Sequence, residues 1–205
     1  MNMPTSMRPL GAGQVTVTGD GAPLEFRHPD LPAHRFLLQE TSDAWHSAEH
    51  RWGTGFMITD QGSGRWQAPE RTLWRHDQAI VSYAPTPEIN LTVHRIFGST
   101  LTETYSWRNT SQRPLAILSL GLSTPWRDLY TSAVDALTAA VHAHVFCGGA
   151  ESWVLAEPMS GDQPLLGLIV DEGALAAYSI ESRNIWGLPT SWSPGVAPDR
   201  LQPQP

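Results

Sequence analysis

Lysine is absent from this sequence of 205 residues: all thirteen basic residues are arginines, scattered through the chain without forming a stripe. Charged residues make up only 16% and the net charge is -7, so the chain has no surface run suited to neutralising phosphates, and nucleic acid is not an expected partner. Cysteine occurs once, at Cys147, which excludes an internal disulfide framework. No apolar run approaches the roughly 20 residues that a membrane-spanning helix requires, so no membrane partner is expected. The opening MNMPTSMRPLGAG has no apolar h-region, which predicts a cytoplasmic protein. The sequons at Asn90 and Asn109 then have no secretory context. There is no G-x-S-x-G elbow, no Walker loop and no G-x-G-x-x-G after a strand. Ordinary hydrolase, nucleotidase and dinucleotide-binding readings lose their usual support, and no cofactor is expected.

What is present is period-two alternation, which places successive side chains on opposite faces of a strand. QVTVT at Gln14–Thr18, Glu25–His28 and His34–Gln39 predict short early strands, the last two separated by a Pro-rich turn. GFMITD at Gly55–Asp60 followed by QGSGRW predicts a hairpin about a glycine-rich turn. Ala79–Tyr83, Asn90–Phe97 and Leu101–Trp107 predict a meander that turns onward into LAILSLGL. Ala136–Phe146 suits a helix by its alanines and a strand by its alternation; the strand is preferred. Ser152–Ala156, Leu165–Val170 and Leu175–Ile180 complete the set, with Asp171-Glu172-Gly173 as the last hairpin turn. The expected fold is all-β, a two-sheet antiparallel β-sandwich, because each sheet must bury its apolar face against another layer. It occupies residues 1–184, and 185–205 form a Pro-rich tail or truncated linker whose prolines suit neither a helix nor a central strand.

Candidate chemistry is sparse. His142-Ala143-His144 on a strand points both imidazoles to one face, the spacing a metal pair would need. A cupin-type set would add a nearby carboxylate and a later histidine, and neither follows at the right spacing, so no metal is assigned; the plain alternative is a pair of polar strand histidines. Cys147 before two glycines is better read as a small buried hydrophobe than as a nucleophile. Glycoside hydrolysis needs two carboxyl groups flanking a sugar. Asp128, Asp135, Glu151, Glu157, Asp171 and Glu172 are available, yet turns and solvated surface explain them as well. The nine tryptophans are more informative, since flat indoles with a polar N–H suit the apolar faces of sugar rings. In Thr124-Pro125-Trp126-Arg127-Asp128-Leu129-Tyr130 the proline breaks a strand and leaves aromatic, guanidinium and carboxylate groups on a loop. Trp126, Arg127, Asp128 and Tyr130, with His142 and His144, are therefore the expected ligand contacts; no catalytic residue is assigned.

The run TYSWRNTSQRPLAILSLGLSTPWRDLY, followed by TAAVHAHVFCGGAESWVLAEPMSGDQPLLGLIVDEGALAAYSIESR, resembles the N-terminal β-sandwich that precedes an (α/α)6-barrel catalytic domain in bacterial multidomain glycoside hydrolases. Such domains are similar to the galactose mutarotase-like supersandwich. The resemblance implies that general acid and base sit on the barrel, so that this chain is a carbohydrate-associated domain without independent catalysis. Expected partners are an oligosaccharide and either a helical-barrel catalytic domain or a second copy of the chain. Two alternatives stay open: a carbohydrate-binding module, and a stand-alone aldose epimerase-like enzyme with His94, His142 or His144 as acid and Glu151 or Glu172 as base.

Overall fold

A computed structural model describes residues 5–37, 51–127, 132–148, 151–162 and 164–170. Among these residues the alternating segments become thirteen strands, joined in antiparallel pairs, with one short helix. The first sheet is β1 (Ser6–Leu10), β2 (Gly13–Val17) and β3 (Pro23–Arg27), in chain order. A second sheet holds β4 (Gly55–Thr59) between β5 (Gly62–Trp66) and β10 (Ile117–Leu122). The third is a four-stranded meander of β6 (Arg71–Arg75), β7 (Gln78–Thr86), β8 (Ile89–Phe97) and β9 (Leu101–Asn109). β11 (Val141–Gly148), β12 (Glu151–Pro158) and β13 (Leu166–Val170) make the fourth. The fold is all-β and sandwich-like, as the alternation predicts.

The meander shows how the pattern drives burial. Ile89, Leu91, Val93, Arg95 and Phe97 of β8 point inward and are buried, while Asn90, Thr92, His94 and Ile96 lie on the other face. Register carries the same face across neighbouring strands: Val81, Val93 and Tyr105 form one row, and Tyr83, Leu91 and Trp107 the next. Against these rows pack Val15 and Phe26 of the first sheet, Met57 and Trp66 of the second, and Val141 and Ala156 of the fourth. Each large apolar side chain buried in this way contributes about 1.5–3 kcal/mol. Trp66 meets Trp107 edge to face at 4.9 Å, which locks β5 onto β9.

Three expectations are corrected. The strand expected over Ala136–Phe146 begins only at Val141; Ala133–Ala139 form helix α1. Ser132 caps it, its hydroxyl accepting from the Asp135 N–H at 3.1 Å, and alanine is the residue that loses least on entering a helix. The expected strand from His34 reduces, in its described part, to a single bridge between Leu37 and Trp126. Two strands were not foreseen: β1, an edge strand that accommodates Pro9, and β6, which exposes Arg71, Leu73 and Arg75 and half-buries Thr72 and Trp74. The strand expected over Leu175–Ile180, its hairpin turn and the 185–205 tail lie outside the described residues.

Candidate functional site

The outer face of the fourth sheet gathers the sequence-predicted histidines with aromatic residues. β11 and β12 pair so that His142 lies opposite Glu157, His144 opposite Leu155, and Phe146 opposite Trp153. β13 extends two of these rows, with Gly167 beside Leu155 and Ile169 beside Trp153. Because side chains alternate, all of these residues share one face, while Val141, Ser152, Val154 and Ala156 turn to the core. The two imidazole rings meet edge to face with centroids 4.7 Å apart. His144 Nε2 is hydrogen-bonded to Glu157 Oε2 at 3.1 Å. One step along the strands, Phe146 and Trp153 stack at 5.4 Å with an interplanar angle of 17°. The face thus has an aromatic end and an imidazole–carboxylate end. Among the described residues, no three of histidine, cysteine, aspartate and glutamate are placed to hold a metal ion.

Trp126 and Arg127 have a different setting. The Trp126 indole is partly buried and packs edge-on against Trp52 at 5.5 Å, and its Nε1 is enclosed without a hydrogen-bond partner among the described residues. Arg127 Nη2 reaches Asp135 Oδ1 of α1 at 3.2 Å. The Arg127 backbone is held on both sides, its N–H donating to Phe36 O and its carbonyl accepting from Val141 N–H, each at 2.9 Å. This last bond brings the Trp126–Arg127 segment to the start of β11, one residue from His142. Asp128 and Tyr130 lie outside the described residues. His94 is on the meander, hydrogen-bonded to Gln78 Oε1 at 3.0 Å, and is in a different sheet from the β11 histidines.

A buried polar network stands behind the meander. Arg95, fully buried, donates through Nε to Glu103 Oε1 at 2.6 Å and through Nη1 to the Asp20 carbonyl at 3.0 Å. Glu103 Oε2 accepts from Trp52 Nε1 at 2.7 Å. The Asp20 carboxylate accepts from Thr18 Oγ1, and Tyr83 OH lies 3.4 Å from its other oxygen. Gly53 closes the network: at φ +73°, a Cβ placed on it would stand 2.8 Å from Arg95 Nη2 and 2.9 Å from Tyr105 OH. Burial pushes the Tyr83 phenol up to about 12 and holds Tyr105 well above the usual phenol range. Burial alone would lower the Arg95 pKa, yet the Glu103 carboxylate and the adjacent tyrosines carry it above its ordinary value. At neutral pH both phenols are therefore protonated and the guanidinium is charged, which suits a structural clamp and not proton transfer.

A concavity of about 370 Å³ opens beside β7, lined by Arg65, Trp66, Gln67, Ala68, Glu70, Tyr83 and Ala84. Its two aromatic residues turn their polar atoms inward, Trp66 Nε1 to Gly53 O at 2.8 Å and Tyr83 OH toward Asp20. Sequence reasoning missed this hollow, the clamp and the Phe146–Trp153 pair. Only the clamp left a signal in the sequence: Arg95 occupies an inward position of an otherwise apolar alternation in LTVHRIF.

Fold and site together define an all-β, sandwich-like domain with one aromatic and histidine-bearing outer face. No protein-family model matches the chain, and no curated protein matches it. Among solved structures it is similar to a polysaccharide lyase, with a TM-score of 0.66 and 23% sequence identity. The match covers 82% of this chain and 25% of that one, so the chain spans about a quarter of the neighbour's length. At this identity the likeness shows a shared fold. Among the described residues, no helix is long and apolar enough to cross a membrane.

Proposed function

We propose that this chain is a carbohydrate-associated β-sandwich domain of a longer polysaccharide-degrading protein, of the galactose mutarotase-like type found beside helical barrels in glycoside hydrolases, and that it is not catalytic alone. The observation that carries the reading is the fold: most of this chain superposes on about one quarter of a polysaccharide lyase. A second support is chemical. Within the buried clamp, Arg95, Tyr83 and Tyr105 are held far from neutral titration, and the one histidine–carboxylate pair on the described outer face, His144 with Glu157, stands open to water. Nothing there encloses a reacting bond or excludes solvent from it.

The test is to assay the purified chain alone for glycan hydrolysis, for elimination and, by polarimetry, for sugar mutarotation, and to measure its retention on immobilised polysaccharides. The expected result is retention without turnover. Mutarotation above the spontaneous rate would overturn the non-catalytic reading in favour of an epimerase built on His144 and Glu157. Failure of every polysaccharide to retain the chain would remove the carbohydrate reading.

A further inference from the structure

We infer that the outer face of β11–β13 is a flat platform for an extended, uncharged polysaccharide chain. This rests on the carbohydrate reading above and names the surface and the ligand class. Phe146 and Trp153 keep 44% and 37% of their surface exposed although they stack on each other, and Ile169 beside them is 80% exposed. Three adjoining apolar side chains on one solvent-facing row are more than scattered surface hydrophobes, and soluble domains seldom leave such rows uncovered without a use for them. The pre-stacked rings have little rotamer freedom left to lose, so a sugar ring laid on them costs little ordering.

The other end of the face supplies what a sugar's hydroxyls need. Imidazole nitrogens donate and accept, and Glu157 accepts. From Phe146 to His142 the strand rises about 13 Å, so a glycan lying along β11 meets the aromatic end and the polar end at once. Between them Gly167 leaves the row beside Leu155 open, since a Cβ there would meet nothing within 4 Å. The exposed row of Phe146, Trp153 and Ile169 suits a polymer passing across it more than an enclosed small sugar.

Charge selects the class. By register this face carries two glutamates, Glu151 and Glu157, and no arginine, and the whole sequence has no lysine and a net charge of -7. A uronate-bearing chain would be repelled near neutral pH, whereas a neutral glycan meets only hydrogen-bonding groups and apolar surface.

The experiment is affinity electrophoresis of the full chain through gels containing hydroxyethylcellulose, glucomannan or polygalacturonate near neutral pH. The wild type, Trp153→Ala, Phe146→Ala, Ile169→Glu and the off-face control Leu118→Ala are compared, each checked for folding by circular dichroism. Retardation by a neutral glycan is expected, weakened about tenfold by Trp153→Ala or Phe146→Ala and unchanged by Leu118→Ala. Ile169→Glu removes no core contact, so it tests the face even where an aromatic variant fails to fold, and it should weaken retardation several-fold. If the wild type is retarded and the platform variants behave like it, the platform is overturned while the carbohydrate reading stands. Stronger retardation by polygalacturonate overturns the uncharged class. No retardation by any of the three overturns the platform together with the reading it rests on.

Discussion

Replacing Glu103 with leucine tests the buried clamp directly. The substitution removes the carboxylate that holds Arg95 Nε at 2.6 Å and Trp52 Nε1 at 2.7 Å, and leaves a fully buried guanidinium without its carboxylate partner, the Asp20 carbonyl still accepting from Nη1. Breaking a buried ion pair from one side costs about 3–5 kcal/mol. An indole N–H left without an acceptor adds roughly 1–3 kcal/mol, the two overlapping because both groups relax into the same space. A total of about 5 kcal/mol, divided by a urea slope of about 2 kcal/mol per molar, moves the unfolding midpoint down by about 2.5 M. The double variant Arg95→Met with Glu103→Leu should recover most of this loss, since a well-packed apolar pair removes the unpaired charge. Urea titrations followed by tryptophan fluorescence, run as a full double-mutant cycle, supply the numbers. A Glu103→Leu cost below about 1 kcal/mol, or a double variant as weak as the sum of its singles, would refute the clamp.

Gly53→Ala should destabilise by about 1–3 kcal/mol, because the residue sits at φ +73° and its new Cβ would press on Arg95 and Tyr105; thermal melts by circular dichroism check it. His34 is buried against Ser160, and burial lowers its pKa despite the opposing influence of Asp162. The unfolded chain therefore takes up the proton first, so stability is full above the ordinary histidine value and falls as pH drops through it; His34→Gln should flatten that acid-side loss in urea midpoints measured across pH. Tyr83 works in the opposite direction. Its raised pKa leaves stability intact below the ordinary phenol range and erodes it as pH climbs from there toward about 12, and a phenolate absorbance titration should show Tyr83 and Tyr105 ionising above the ordinary phenol range.

Strands with strict alternation were legible in the sequence. The expected Asn90–Phe97 covers all of β8 but Ile89, and the expected Gly55–Asp60 runs one residue past β4, because one buried face imposes a period that no other structure satisfies. Helix α1 was not legible, since Ala136, Leu137 and Ala139 fit both periods and the decision lay in Ser132, a cap whose effect depends on where the chain turns. The H-x-H pair was readable as two side chains on one face, because parity within a strand is local. Its neighbours were not: that Phe146 faces Trp153, and His142 faces Glu157, depends on the register of β11 against β12. Arg95 lay in plain view at an inward position, but the Asp20 carbonyl that it reaches and the Trp52 indole that shares its Glu103 partner are distant in sequence, and only the packed fold brings them near.

The separations within the clamp also dictate an order of assembly. Arg95 and Glu103 are eight residues apart in adjoining strands, whereas Glu103 and Trp52 are separated by 51 residues and Arg95 and Asp20 by 75. Loop closure favours the near pair, so the β8–β9 hairpin can join its charges while water still surrounds them, and the distant loops then arrive to seal a charge already neutralised. A change at Glu103 should on this account slow refolding, and a change at Gly53 should chiefly hasten unfolding.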